Sequence, residues 1–125
     1  MIILSANELI SIHSQLIFKT GGLDGLRDIN LLYSAIDSMN NSFDGFEQYP
    51  SVEEKAARVA YGIISNHAFI DGNKRTGVIA MLMTLELNDI KVDFSQKELI
   101  SLGLAIADGS AKFEEIFQWI NEHKV

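Results

Sequence analysis

The chain contains no cysteine. That excludes a disulfide framework, a thiolate metal site and a cysteine nucleophile, and it accords with a reducing cytoplasm. Proline occurs once, at Pro50, and there is no repeat or low-complexity tract, so nothing marks a linker between domains. No apolar stretch approaches the roughly 18 residues needed to cross a bilayer. The nearest is Thr76 to Leu85, and no membrane span is expected. The opening residues turn polar at Ser5 and charged at Glu8, which is not the pattern of a secretory signal. Positive charge is also scarce. Ten basic against seventeen acidic side chains leave a net charge of -7, without the basic stripe that a duplex nucleic acid requires. No direct nucleic-acid partner is expected, and any site for a phosphate-bearing ligand must gather its cations locally.

What the chain does have is apolar content, 47% over 125 residues, enough to bury one core as a single domain over residues 1–125. The spacing predicts helices joined by short loops. Ser5 with Glu8 is a capping box for a first helix over about Ala6 to Phe18, stopped by Gly21 and Gly22. Gly25-Leu26-Arg27-Asp28 opens a second, with Leu31, Leu32, Ala35, Ile36 and Met39 inward, and Arg27-Asp28 reads as a helix start with a local ion pair, the alternative being an element of a functional site. Residues 42–50 carry Gly45, Phe43, Phe46 and Tyr49 without helical period; an ordered, flap-like loop or short hairpin is predicted, its aromatics lidding the core. Ser51 with Glu54 begins a third helix ending at Asn66, and a fourth runs from Asn73 to about Asn88, apolar on all sides and so central. Ser95 with Glu98 caps a fifth helix to about Ala107, and a sixth is predicted from Ser110 to about Glu122. The expected fold class is all-α: a compact six-helix bundle with a buried central helix.

The chemistry is concentrated in His67-Ala68-Phe69-Ile70-Asp71-Gly72-Asn73-Lys74-Arg75-Thr76. Here a histidine, a carboxylate, a glycine turn and two cations precede the start of the central helix, where free N–H groups and the positive end of the helix dipole favour an anion. Gly72 permits a tight turn and Asn73 is a suitable N-cap. Asp71 offers a hard oxygen ligand suited to magnesium shared with nucleotide phosphates. His67 is the one side chain in the run that titrates near neutrality and can take a proton from a hydroxyl. Phe69 is expected to anchor the loop in the core. His13 and His123 lie in no cluster, and a surface or locally bonded role is expected for each.

This run resembles the motif of the Fic/Doc family: a histidine and a phenylalanine two apart, then an acidic residue, glycine and asparagine. The ending Lys74-Arg75-Thr76 resembles the Doc branch. Gly21-Gly22, Leu26-Arg27-Asp28, Leu31-Leu32, Ser34-Ala35-Ile36, Tyr49-Pro50 and Glu54-Lys55-Ala56-Ala57 resemble Doc sequences at similar spacing, so the similarity covers nearly the whole chain. The resemblance implies a helical bundle whose motif joins two central helices. It implies His67 as general base, Asp71 as magnesium ligand, and Gly72, Asn73, Lys74, Arg75 and Thr76 as the nucleotide-phosphate cradle, with Lys74 and Arg75 also catalytic.

Two departures from the larger Fic branch bear on the reaction. Lys74 stands where Fic AMP-transferases carry a second glycine, and Val78 where they carry a second arginine. In the Doc branch these differences accompany a reversed nucleotide, with kinase rather than AMP-transfer chemistry. The resemblance therefore implies a cytoplasmic toxin of a type II toxin-antitoxin system, using ATP and Mg2+ to phosphorylate a serine or threonine of a host protein, a translation elongation factor being the implied class. AMP transfer and a catalytically inactive binding module are the alternatives. It also implies an antitoxin whose disordered tail folds on binding. Ser110 with Glu114 is the nearest match to the inhibitory helix of many Fic proteins, and Glu115 breaks it.

Overall fold

A computed structural model describes residues 1–125 as six helices and one small hairpin. In chain order these are α1 (Ala6–Thr20), α2 (Ile29–Asp37), a 3-10 turn (Ser38–Asn40), β1 (Ser42–Phe43), β2 (Phe46–Glu47), α3 (Val52–Asn66), α4 (Asn73–Leu87), α5 (Gln96–Ala107) and α6 (Phe113–His123). The class is all-α, as predicted. Helices α1, α3 and α5 begin where Ser5, Ser51 and Ser95 each accept the backbone N–H three residues on, while Glu8, Glu54 and Glu98 reach back to the cap. These starts are legible because both halves of the device are local.

Three expectations are corrected. Helix α2 begins at Ile29, not at Gly25: Asp28 is its N-cap, and the N–H groups of Arg27 and Asp28 are committed to the carbonyl of Ala68. Helix α6 begins at Phe113 rather than Ser110, because Ser110 N–H donates to the Asp108 carboxylate and Ala111 N–H to the Ala105 carbonyl, tying this stretch to the end of α5. The hairpin aromatics do not all cover the core. Phe43 and Phe46 pair across β1 and β2 and are 78% and 77% exposed, on a ribbon turned at Asp44 and Gly45, both with positive φ. Only Tyr49 packs inward, against Phe113 at 4.9 Å.

Helix α3 packs against α2, α4, α5 and α6, so it shares the centre of the bundle with α4. One core cluster joins Ala56, Ala60 and Ile64 of α3 to Val78, Met81 and Leu85 of α4 and to residues of α5 and α6. A second joins Leu9, Leu32, Val59, Ile63 and Ala80 to Ala68 and Phe69 of the motif. At Gly77 a Cβ would lie 2.5 Å from Cγ1 of Ile64, so the missing side chain is what lets α4 approach α3 this closely. The six-residue connection 67–72 between the two helices is anchored by the fully buried Phe69, whose removal from water stabilises it by about 1.5–3 kcal/mol. No helix is long and apolar enough to cross a membrane.

Candidate functional site

Helix α3 ends because His67 takes the left-handed conformation, φ 52 and ψ 52. For a residue with a Cβ this costs about 1–2 kcal/mol, so the surroundings must hold it. Arg27 does so with its guanidinium: Nε donates to the His67 carbonyl at 2.8 Å and Nη2 to the Asn66 carbonyl at 2.9 Å. The segment before α2 also runs antiparallel to the motif, with Arg27 N–H on the Ala68 carbonyl at 2.8 Å and Ile70 N–H on the Gly25 carbonyl at 3.0 Å. The backbone of the loop is thereby fixed from outside, while the His67 side chain remains exposed.

Past Phe69 the chain enters α4 through Gly72, the N-cap, at φ 78. Asn73 is not the N-cap that its type suggests. It is already the first helical residue, and its amide folds back on Phe69, Oδ1 accepting from the N–H at 3.0 Å and Nδ2 donating to the carbonyl at 2.9 Å. Its side chain is therefore spent on shaping the loop. The first backbone bond of the helix is Thr76 N–H to the Gly72 carbonyl, which leaves the N–H groups of Asn73, Lys74 and Arg75 without partners, the arrangement that receives an anion.

Asp71 is fixed at both carboxylate oxygens. Oδ2 accepts from Leu23 N–H at 3.2 Å and Oδ1 from Gly72 N–H at 2.8 Å. These two donors, Leu23 foremost, hold its pKa below the ordinary value of 3.8 against the opposing effect of burial, with lesser help from the charges of Arg75 and His13, so the group is an anion at neutral pH. Gly22 makes this approach possible. A Cβ there would sit 2.6 Å from Asp71 Oδ2, and its φ of +118 disfavours any other residue.

The cations divide. Arg75 turns back to α1, donating to Thr20 Oγ1 and to the Gly21 carbonyl at 3.3 Å, with Nη2 near Gly22 and hence beside Asp71. Lys74 is exposed and forms no ion pair or hydrogen bond. Thr76 is fully buried and its Oγ1 has no partner. Its N–H is spent on Gly72, which leaves the buried hydroxyl as its one uncommitted group.

No cluster of three or more His, Asp or Glu side chains forms a self-sufficient metal site. A single ionised carboxylate, each oxygen accepting only one N–H, instead fits magnesium, which keeps waters and draws further ligands from phosphates. The largest concavity, 800 Å³, lies at the far end of α4 around Leu82, Glu86 and Phe94, away from the motif. A second, of 390 Å³, runs between α1, α4 and α5 and is bounded by Leu16, Lys74, Arg75, Val78, Leu99 and Ile100. It opens beside the cradle.

Sequence reasoning missed two supports of this loop. His13 is not on the surface; it is 1% exposed and bonds to the loop 58 residues away, Nε2 lying 2.6 Å from the Asp71 carbonyl oxygen. Its position on the stripe Leu9, His13, Ile17 was the available signal, since a histidine on an inner helical face must find partners. Arg27 forms no local ion pair and caps α3 instead. His123 is locally bonded to the Trp119 carbonyl, as expected, and also reaches Glu98 across 25 residues.

The comparisons with known proteins point to one family. Over 72 residues the chain is 35% identical to "Toxin Doc" of Mycolicibacterium smegmatis, an alignment covering 58% of this chain but only 55% of that relative. Over 113 residues it is 28% identical to "Protein kinase doc" of Escherichia phage P1, covering 90% of this chain and 88% of the relative. The sequence model of the Fic/DOC family matches residues 3–85, a span that contains His13, Arg27 and the entire motif loop. With more than half its length so matched, and with its loop folded at the head of α4, the chain belongs to the Fic/DOC family.

Proposed function

We propose that this chain is the cytoplasmic toxin of a type II toxin-antitoxin pair and that it transfers the γ-phosphoryl group of ATP to a serine or threonine hydroxyl of a host protein. A translation elongation factor is the target class that the Doc resemblance implies. The observation that carries the reading is the composition of one short connection: an exposed histidine, an ionised carboxylate, three unpartnered N–H groups and two cations at the head of α4.

In this reading His67 accepts the hydroxyl proton as the new oxygen–phosphorus bond forms. The bond from the γ phosphorus to the bridging oxygen breaks, and ADP leaves with that electron pair. The N–H groups of Asn73, Lys74 and Arg75, with the charges of Lys74 and Arg75, hold the phosphates and offset the negative charge there. Asp71 would hold Mg2+, which when bound neutralises phosphate charge and orients the transferred group. Two features favour phosphoryl over AMP transfer. Lys74 occupies the position of the second Fic glycine, and Val78, one turn on, is buried at 7% exposure beside the apolar groove and supplies no charge. A relative named as a protein kinase aligns over most of the chain. An inactive binding module has less support, because no motif residue is missing.

The groove between α1, α4 and α5 is the surface we assign to the antitoxin. Its lining is mostly apolar, with Lys74 and Arg75 at its edge, so a disordered tail folding into an amphipathic helix would anchor there and cover the cradle. The chain offers no visible brake of its own, since Ser110 lies outside α6 and Ile116 is committed to the core. The test is growth of a bacterial host expressing the chain alone, the His67→Ala variant, or the chain with its neighbouring small gene. Arrest by the wild type alone, relieved in the other two, supports the proposal; equal growth of wild type and His67→Ala contradicts it.

A further inference from the structure

We infer that His13 is a positioning residue for the motif loop: from α1 it sets the 71–72 peptide and, through it, the orientation of the Asp71 carboxylate. The inference rests on the reading of Asp71 given above and adds a residue outside the motif to the machinery.

The imidazole is enclosed on every side. One face stacks on Phe69, with ring centroids 3.9 Å apart and an interplanar angle of 11°. Nε2 lies 2.6 Å from the Asp71 carbonyl oxygen; a carbonyl can only accept, so Nε2 carries the hydrogen. Nδ1 faces Asp24 Oδ1 at 3.4 Å, and that carboxylate is held in turn by the Ser14 hydroxyl and the Gly25 N–H. Buried at 1% exposure, the ring is therefore fixed in plane, with a hydrogen of Nε2 directed at the loop.

The consequence falls on Asp71. Its carbonyl is held by His13, and the N–H of the same peptide, on Gly72, donates to its own Oδ1. Rotation of that peptide would break both bonds at once and carry the carboxylate away from the N–H of Leu23. Nothing else in the structure holds the Asp71 carbonyl. A chain of contacts thus runs from Asp24 through His13 to the residue proposed to meet the metal, in the manner of the outer partners that orient metal ligands.

The test compares His13→Phe, which keeps a ring against Phe69 and deletes the donor, with His13→Gln, which can donate from Nε2, and with Asp24→Asn at the surface. In the wild type, long-range proton–nitrogen NMR is expected to show the hydrogen on Nε2. The Gly72 amide resonance, the reporter of the 71–72 peptide, is expected to move in His13→Phe and return towards the wild-type position in His13→Gln. With γ-labelled ATP and lysate, His13→Phe is expected to lower the maximal transfer rate roughly 10–100-fold, with a smaller change in the KM for ATP and partial rescue by His13→Gln. If His13→Phe does not fold, a shifted Gly72 amide in Asp24→Asn supports the inference and an unmoved one overturns it. An unmoved Gly72 amide in a folded His13→Phe, or a full transfer rate there, overturns it as well. If the wild type itself transfers no label, the phosphotransferase reading fails and the Gly72 resonance alone decides the role of His13.

Discussion

The Arg27 guanidinium grips the carbonyls of His67 and Asn66, at 2.8 and 2.9 Å, across 40 residues of chain. The proposed general base therefore stands on a backbone conformation that one distant side chain maintains. Arg27→Ala should cost about 1–2 kcal/mol in urea or thermal unfolding, since two charge-assisted bonds are lost at the surface. It should slow label transfer by roughly ten- to a hundredfold through misplacement of the base. Arg27→Lys should restore only part of either, because an ammonium cannot span both carbonyls as the planar fork does.

Stability and activity should part company at His67. His67→Gly removes the cost of a left-handed Cβ and is expected to gain about 0.5–1 kcal/mol, while abolishing transfer. His67→Ala keeps the backbone cost and should be as inactive, with stability within about 0.5 kcal/mol of wild type. Retained transfer in either variant would remove His67 from the mechanism.

How much of this was legible in the sequence divides by the reach of each interaction. The three serine capping boxes, the anchoring of Phe69 and the head of α4 were readable, because each depends on neighbours within four residues or on a motif seen whole. The role of Asn73 was misread even at short range. Its type suits an N-cap, but the turn at Gly72 carries it inside the helix, where its amide meets Phe69. Longer reach hid more. His13 and Arg27 act across 58 and 40 residues, and pairing over that distance is set by how α1 and the stretch before α2 pack on the loop. The start of α6 was misplaced because Asp108 and Ala105 capture Ser110 and Ala111 before a helix can form.

Lys74 should show opposite effects on folding and binding. An exposed, unpaired cation in the first turn opposes the helix dipole, so Lys74→Ala should raise stability by about 0.3–1 kcal/mol without ligand. Calorimetry should find weaker ATP binding by the same variant, and thermal shift with ATP should shrink accordingly. Unchanged ATP affinity would exclude Lys74 from the cradle.

The pair Glu98–His123 predicts a pH window for stability. Its hydrogen bond to His123 at 2.7 Å, then that to Ser95, lower the Glu98 pKa from its ordinary 4.5 to about 2. Its stabilisation is present above 4.5 and is lost as pH falls towards about 2. Burial opposes the charge on His123, yet its bonds to Glu98 and the Trp119 carbonyl outweigh this and raise its pKa above 6.5, so its stabilisation is full below 6.5 and is lost as pH rises through the raised value. Thermal unfolding of Glu98→Gln should thus differ from wild type most between 4.5 and 6.5, and the curves should converge on either side.

In the proposed reaction the cradle at the head of α4 presents the terminal phosphate of ATP to a protein hydroxyl activated by His67. Purified protein incubated with lysate and ATP labelled at either the α or the γ phosphate tests it directly, with His67→Ala and Asp71→Asn as controls. γ label alone is expected to enter a lysate protein, on serine or threonine, and neither variant is expected to transfer it. Label entering from the α position instead would contradict phosphoryl transfer and assign AMP transfer to the same site.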